Sequence, residues 1–101
     1  MMNKQKLRKL KRQLARLRSH SASIRSDELK RFAQQLGRQR SHQRTNEPTF
    51  ISLLLPYSRP ISIPDHPGNL KRFTAENILD ALEQDIFALE EELEGEKEAD
   101  D

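Results

Sequence analysis

The sequence predicts an α+β fold in which helices flank a small β-sheet. A β-rich run at residues 49–55 and a second run at residues 61–63 are separated by a turn that proline closes on both sides, which is typical of a hairpin. Apolar residues at helical spacing occur before and after this hairpin. The same spacing at the start of the chain predicts an additional N-terminal helix.

The charges are segregated along the chain. Of the 101 residues, 18 are Lys or Arg and 16 are Asp or Glu. Residues 1–18 carry eight bases and no acid, whereas residues 74–101 carry one base and twelve acids. A basic body suits an anionic partner such as nucleic acid, and the acidic tail is suited to shield that surface or to pair with the basic arm.

Composition argues against several classes of protein. The chain has no cysteine, and its histidines at positions 20, 42 and 66 lack the close spacing of metal ligands, so we expect neither a disulfide nor a metal cofactor. No apolar run is long enough for a membrane span or for the core of a signal peptide. We therefore expect a cytoplasmic protein.

The first helix is predicted over residues 4–18. Leucines recur there with a spacing of three, four and three residues, flanked by Lys and Arg. Two interpretations stay open: a basic arm that lies on nucleic-acid phosphates, or a solvated helix whose leucines pack on another helix. The serine-rich residues 19–23 are predicted to be a linker.

The second helix is predicted to begin at Ser26 as its N-cap and to end at Gly37. Asp27 and Glu28 lie in its first turn, where they favour the helix dipole. Residues 38–46 are polar and rich in arginine, which indicates a loop or a weak edge strand. After the hairpin, prolines and Gly68 end the last strand, and Thr74 is predicted to cap the last helix.

The last helix is longer than a small domain requires. Its leucine seam continues past residue 88, flanked by glutamates, and the only seam of similar length with the opposite charge is that of the first helix. We therefore predict that residues 4–18 pair with residues 80–94, either within one chain or between two chains of a homodimer. Residues 95–101 are predicted to be disordered.

Lys71 and Arg72 come directly before this helix. Because backbone N–H groups at a helix N-terminus and two cations would converge there, the pair predicts a phosphate site. The alternative is an ordinary solvated basic pair.

Residues 61–74, with the sequence ISIPDHPGNLKRFT, are followed by Asn77-Ile78-Leu79. This stretch resembles the second half of HicA-type (YcfA-like) toxins, in which a strand ending in Val-Pro leads through a His-Pro-Gly loop to a Gly-Thr cap and an Ile-Leu-containing helix. The segment from Ser26 to Leu36-Gly37 resembles the first helix of that family. The resemblance covers roughly residues 26–84.

The resemblance implies a fold like that of a double-stranded-RNA-binding domain, α-β-β-β-α, here with a long C-terminal helix and an added N-terminal basic helix. It also implies metal-independent cleavage of mRNA by an endoribonuclease of a toxin–antitoxin system, with a HicB-like antitoxin as partner. The predicted organisation is a basic helical arm and linker (1–23), a HicA-like RNA-binding domain (24–84), and an acidic helix extension with a disordered tail (85–101).

The catalytic motif of the family, Gly-Ser-His, is missing from this sequence. Counting back from Phe50 places Thr45-Asn46-Glu47 where that motif belongs, and the nearest Ser-His pair is Ser41-His42. Either His42 or Glu47 is thus the candidate base that removes a proton from a 2′-hydroxyl. The predicted RNA-binding residues are those of the arginine-rich segment and of the His-Pro-Gly loop: Arg38, Arg40, Arg44, His66, Lys71 and Arg72.

Three functions therefore compete at the level of sequence. The first is a HicA-like toxin that binds and cleaves mRNA. The second is a catalytically inactive RNA-binding module on the same fold, as the missing Gly-Ser-His motif suggests. The third is a helical interaction protein that works through its charged arms, the basic N-terminal helix and the acidic end of the last helix.

Overall fold

The computed structural model describes residues 2–41 and 48–99, with side chains up to residue 95. Within these residues it contains three α-helices and one three-stranded antiparallel sheet, which confirms the predicted α+β class. The elements are α1 (Lys4–Ser19), α2 (Ser26–Gln35), β1 (Arg38–Arg40), β2 (Thr49–Ser52), β3 (Ile61–Ser62) and α3 (Arg72–Ala99). A 3-10 turn, Ser21–Ser23, follows α1. No helix in this part of the chain combines the length and apolar character that crossing a bilayer requires.

Helix α1 packs along α3 through its leucine seam. Asn3 caps α1, since its side-chain oxygen accepts a hydrogen bond from the backbone N–H of Lys6 at 2.8 Å. The four leucines at positions 7, 10, 14 and 17 are buried, and burial of each leucine side chain contributes about 1.5–3 kcal/mol. Ion pairs flank the seam, Lys11 with Glu90 at 2.8 Å and Arg18 with Asp80 at 2.7 Å. The pairing predicted for residues 4–18 and 80–94 is therefore present, and it forms within the chain.

Helix α2 begins with Arg25, not Ser26, at the N-cap position. The prediction for Ser26 is wrong because its hydroxyl has a tertiary partner: it donates to the carbonyl oxygen of Pro64 at 2.7 Å. The carboxylate of Glu28 accepts instead from the backbone N–H of Arg25 at 3.1 Å. The C-terminus agrees with the prediction, since Gly37 follows the helix with a φ of 90°.

The sheet has the order β1-β2-β3. Phe50 of β2 is opposite Arg40 of β1 and Ile61 of β3. The hairpin predicted from the two β-rich runs is confirmed, and residues 38–40 form the edge strand that was one of two alternatives. Phe50, Ile61 and Ile63 are buried, whereas Ile51 is 40% exposed, so one face of the sheet packs on the helices.

Helix α3 begins at Arg72, three residues earlier than a cap at Thr74 predicts. The carbonyl oxygen of Lys71 accepts the hydrogen bond from the N–H of Ala75 at 3.0 Å, so Thr74 lies inside the first turn and is not the cap. The chain is held just before the helix, where the N–H of Leu70 donates to the carbonyl of Ile24 at 2.8 Å, and the helix starts directly after this anchor.

At its other end α3 continues to Ala99, through residues for which the sequence predicts disorder. No proline interrupts this segment, and Glu, Lys and Ala are good helix formers. The helices and the sheet share one core, in which Phe32, Phe50, Leu79 and Leu82 are almost completely buried.

Candidate nucleic-acid interface

The topology brings the starts of α2 and α3 to the same end of the sheet. β1 and β3 run in the same direction, because both are antiparallel to β2. β3 leads into the loop of residues 63–71, and this loop is fastened to the start of α2 by the Ser26–Pro64 and Leu70–Ile24 hydrogen bonds. This end therefore contains the first residues of both helices and the last residue of β1.

Basic side chains from four segments converge at this end. We call the set the basic end: Arg25, Lys30, Arg40, His66, Lys71 and Arg72. All are exposed except Lys30, which is half-buried. They include four of the six residues that the sequence predicts to bind RNA, Arg40, His66, Lys71 and Arg72. Two N-terminal helix ends, whose first N–H groups carry a partial positive charge, lie in the same region.

The loop at the basic end is ordered by its own hydrogen bonds. The ring Nδ1 of His66 accepts from the N–H of Gly68 at 3.1 Å, and the guanidinium of Arg25 donates to the carbonyl oxygen of Pro67 at 3.2 Å. Because Nδ1 is an acceptor, this bond requires the neutral tautomer with the proton on Nε2. His66 thus shapes the loop with one nitrogen and offers the other as a donor.

Asp65 lies among these cations. It forms an ion pair with Lys30, and its second oxygen is 3.9 Å from the guanidinium of Arg40. The side chains of Arg40 and Asp65 are each about three-fifths exposed, so their interaction is weak and exchangeable. Arg40 can therefore be redirected to a phosphate at little cost.

Arg72 and Lys71 differ in their surroundings. Arg72 donates to the carboxylate of Glu76 at 3.1 Å, one turn further along α3. This bond, together with one from the Ser21 hydroxyl, holds the pKa of Glu76 below its usual range. Lys71 forms no ion pair or hydrogen bond through its ammonium group within residues 2–41 and 48–95, so its charge is the one most available to a ligand at the start of α3.

Arg38 is not part of this surface, although the sequence predicts it to bind RNA. Its side chain is buried, and its guanidinium bonds both oxygens of Asp85 on α3, at 2.6 and 2.9 Å. It also donates to the carbonyl oxygens of Phe50 at 2.9 Å and Arg59 at 3.1 Å. Position 38 faces the helices because side chains alternate along a strand. A buried guanidinium that makes four hydrogen bonds inside the protein is structural.

The sequence contains one signal for this buried pair. Asp85 continues the apolar spacing of α3, since Ile78, Leu82, Asp85 and Leu89 lie on one helix face. A carboxylate on the buried face of a helix requires a buried cation. The sequence reasoning also missed Arg25 and Lys30, because only the folded chain places these residues of α2 beside the loop.

Both candidate catalytic residues, His42 and Glu47, lie outside the described residues, and so does Arg44. The residues on either side of them are described. The N–H of Ser41 donates to the carbonyl of Thr49 at 2.7 Å, and the carbonyl of Pro48 accepts from the N–H of Ile63 at 3.0 Å. Ser41 and Pro48 therefore lie at the same end of the sheet as the basic end.

No group of three or more His, Cys, Asp or Glu side chains suited to a metal ion occurs in the described part of the chain. Comparison of the sequence and the structure with models of known families, with curated proteins and with solved structures gives no match.

Proposed function

We propose that this protein binds RNA through the basic end. The observation that carries the proposal is the convergence of Arg25, Lys30, Arg40, Lys71 and Arg72 at the starts of two helices. Arginine and lysine side chains together with helix N-termini are the groups that contact nucleic-acid phosphates. Such a role would place the protein in the cytoplasm.

The order of elements supports an RNA-binding domain of the double-stranded type. Residues 26–99 contain α2-β1-β2-β3-α3, with both helices on one face of the antiparallel sheet. Domains with this arrangement recognise the shape of A-form RNA through phosphates and 2′-hydroxyls. On this proposal, the start of α3 with Lys71 and Arg72 contacts the phosphate backbone.

The charged arms are less suited to recruit another protein. The leucine seams of α1 and α3 cover each other within the chain, and Lys11 and Arg18 of α1 are paired with carboxylates of α3. The seam is therefore already occupied, and a helical interaction protein or a homodimer would have to open it. RNA binding requires no such change.

The proposal is tested with Arg40→Gln/Lys71→Gln and a duplex RNA of about 16 base pairs. The double variant loses two phosphate contacts, so the slope of log K against log salt should fall by about 2 and the affinity should drop at least about tenfold. The matched control is Lys11→Gln/Arg59→Gln, which removes the same charge away from the basic end. Equal losses in both variants would show that only the overall charge matters and would refute a defined site.

Cleavage of the bound RNA is a second candidate function, which the position of Ser41 and Pro48 favours. Ser41 and Pro48, the described residues that precede and follow positions 42–47 in the sequence, both lie at the basic end. We propose a HicA-like, metal-independent endoribonuclease, neutralised by a HicB-like antitoxin, in which one of these residues removes the proton from the attacking 2′-hydroxyl.

This second candidate is tested by expressing the protein in bacteria and following growth and mRNA integrity. If the cleavage proposal holds, either His42→Ala or Glu47→Ala should restore growth while RNA affinity stays the same, and a co-expressed HicB-like protein should also restore it. Growth arrest that persists in both variants would remove both residues as candidates for the base. Normal growth with the intact chain, combined with tight RNA binding, would favour the inactive binding module.

A further inference from the structure

Six of the eight cations of α1 form two sets according to the face on which they lie, and the other two, Lys4 and Lys6, are in its first turn. Lys11 and Arg18 flank the leucine seam and are paired with Glu90, Asp80 and Glu83 of α3. The hydrogen bond to Asp80 is also the main reason why the pKa of Arg18 is raised. The other set lies on the opposite face of the helix and is exposed: Arg8, Lys9, Arg12 and Arg16.

We call this second set the α1 stripe, and its side chains form no ion pair with the described part of the chain. Residues 74–101 contain twelve acids. In the first half of α3, Asp80 and Glu83 pair with Arg18, which flanks the seam, and not with the stripe. The stripe is therefore left for an external anion.

The geometry of the α1 stripe suits a polyanion with regularly spaced charges. Arg8, Arg12 and Arg16 are four residues apart and so lie on one face, extending over about 12 Å of the helix axis. The guanidinium group of arginine binds phosphate oxygens through two parallel hydrogen bonds. Three arginines in one row can thus follow consecutive phosphates of a nucleic-acid strand.

A membrane surface fits the stripe less well. A helix that binds in the interface of a bilayer buries an apolar face among the acyl chains. The apolar face of α1 is already used, since Leu7, Leu10, Leu14 and Leu17 are buried against the rest of the chain. The outer face is mainly charged.

The stripe is connected to the basic end. The hydroxyl of Ser21, just after α1, donates to the carboxylate of Glu76 at 3.1 Å, and the same carboxylate oxygen accepts from Arg72. The C-terminal end of α1 therefore lies beside the first turns of α3. From there α1 runs antiparallel to α3, because Arg18 contacts Asp80 whereas Lys11 contacts Glu90.

We propose that the α1 stripe binds the phosphate backbone of the same RNA and extends the basic end into one longer binding surface. This inference rests on the proposed RNA binding. It assigns to the N-terminal helix, which the resemblance to the toxin family does not include, a direct part in RNA binding as well as in packing.

The test compares Arg8→Gln/Arg12→Gln with the control Lys11→Gln/Arg59→Gln, which removes an equal charge from α1's paired edge and from a loop. Gln is as good a helix former as Arg, and both stripe positions are exposed, so circular dichroism should show an unchanged melting temperature. The probe is a duplex RNA of about 16 base pairs, titrated over a range of salt concentrations. The stripe variant should lower the salt slope by about 2, and the control should leave it within about 0.5.

Three outcomes would overturn the inference, and they differ in what they imply for RNA binding. If the stripe variant matches the control while Arg40→Gln/Lys71→Gln still weakens binding, the basic end acts alone and the proposed function stands. If the intact protein binds no RNA, both proposals fail together. If the stripe variant instead loses binding to vesicles of anionic phospholipid and not to RNA, the ligand of the stripe is a membrane.

Discussion

The two ends of β1 show how differently the fold uses the same residue type. Arg38 at the first position of the strand is buried and bonded to Asp85, Phe50 and Arg59, whereas Arg40 at the last position is exposed beside Asp65. Only one residue separates them, and both side chains are cations on the same strand. Their roles follow from depth, since one lies under α3 and the other at the edge of the domain.

The same contrast extends to the surroundings of the two arginines. At the end where β2 leaves the sheet, the exposed side chains include the large apolar groups of Leu53, Leu54 and Tyr57. At the basic end they are mostly charged. Changes near Arg38 should therefore act mainly on stability, and changes near Arg40 mainly on the proposed binding of RNA.

The largest expected effect is that of Arg38→Met. It leaves the carboxylate of Asp85 buried without a cation and two carbonyl groups without their donor, so the free energy of unfolding should fall by about 3–5 kcal/mol. Arg40→Met should change it by no more than about 0.5 kcal/mol, because the side chain is exposed. Urea denaturation measures both values.

The double variant Arg38→Met/Asp85→Leu is the matched control for this prediction. It removes both charges and replaces them with apolar groups, so most of the lost stability should return. If the double variant were no more stable than Arg38→Met, the unpaired carboxylate would not be the cause of the loss.

A smaller effect is expected from adding a methyl group at the two described loop glycines. Gly37 has a φ of 90°, and a Cβ there would be 2.6 Å from Cγ and Cδ1 of Leu54, so Gly37→Ala should cost about 1–3 kcal/mol. A Cβ at Gly68 in the loop of the basic end would meet only the ring of His66, at 3.9 Å, an ordinary contact. Gly68→Ala should therefore leave the melting temperature nearly unchanged. Equal losses would contradict the difference between the two positions.

The sequence predicted the fold best where apolar residues at a regular spacing mark the buried face of a helix. The pairing of α1 with α3 could be predicted because leucines at a spacing of three and four, with opposite flanking charges, leave few other partners. Gly37 could be assigned as the end of α2 because few other residues tolerate its backbone conformation.

It was least informative where a tertiary contact decides between local alternatives. Ser26 and Thr74 are residues that favour N-caps, but Ser26 bonds to Pro64, and the anchor of Leu70 on Ile24 sets the start of α3. Likewise, an arginine-rich stretch does not reveal that Arg38 points inward, because only the position of Asp85 under the sheet fixes that. The sequence therefore predicts a basic site and some of its residues. Only the fold decides which basic residues belong to it.

The substitution Asp65→Asn tests the role proposed for the exposed Arg40 in binding, in contrast to the structural role of Arg38. It removes the carboxylate that pairs with Lys30 and approaches Arg40, so both cations become available to phosphates. We expect RNA affinity to rise by about two- to tenfold, with the free energy of unfolding lowered by less than about 1 kcal/mol. Fluorescence anisotropy with labelled duplex RNA measures the first effect, and urea denaturation the second.

The control for this variant is Glu92→Gln at the other end of the sheet. Glu92 accepts a hydrogen bond from the hydroxyl of Tyr57 at 3.4 Å, and its removal changes the net charge by the same amount. If both variants raised the affinity equally, the gain would reflect total charge and not the contacts of Asp65.

The smallest expected effect concerns Glu76, which links the basic end to α1. Hydrogen bonds from Arg72 and Ser21 lower its pKa in the folded protein, so the folded state holds this carboxylate ionised more strongly than the unfolded state does. The stabilisation is thus fully present above the pKa of an unfolded glutamate and is lost as the pH falls through the lower folded value. Glu76→Gln should remove this dependence, so the two proteins should differ in stability near neutral pH and converge at strongly acidic pH. Thermal unfolding measured over a range of about pH 3 to 7 tests this, and a difference that grew towards acidic pH would show that Glu76 is not the stabilised carboxylate.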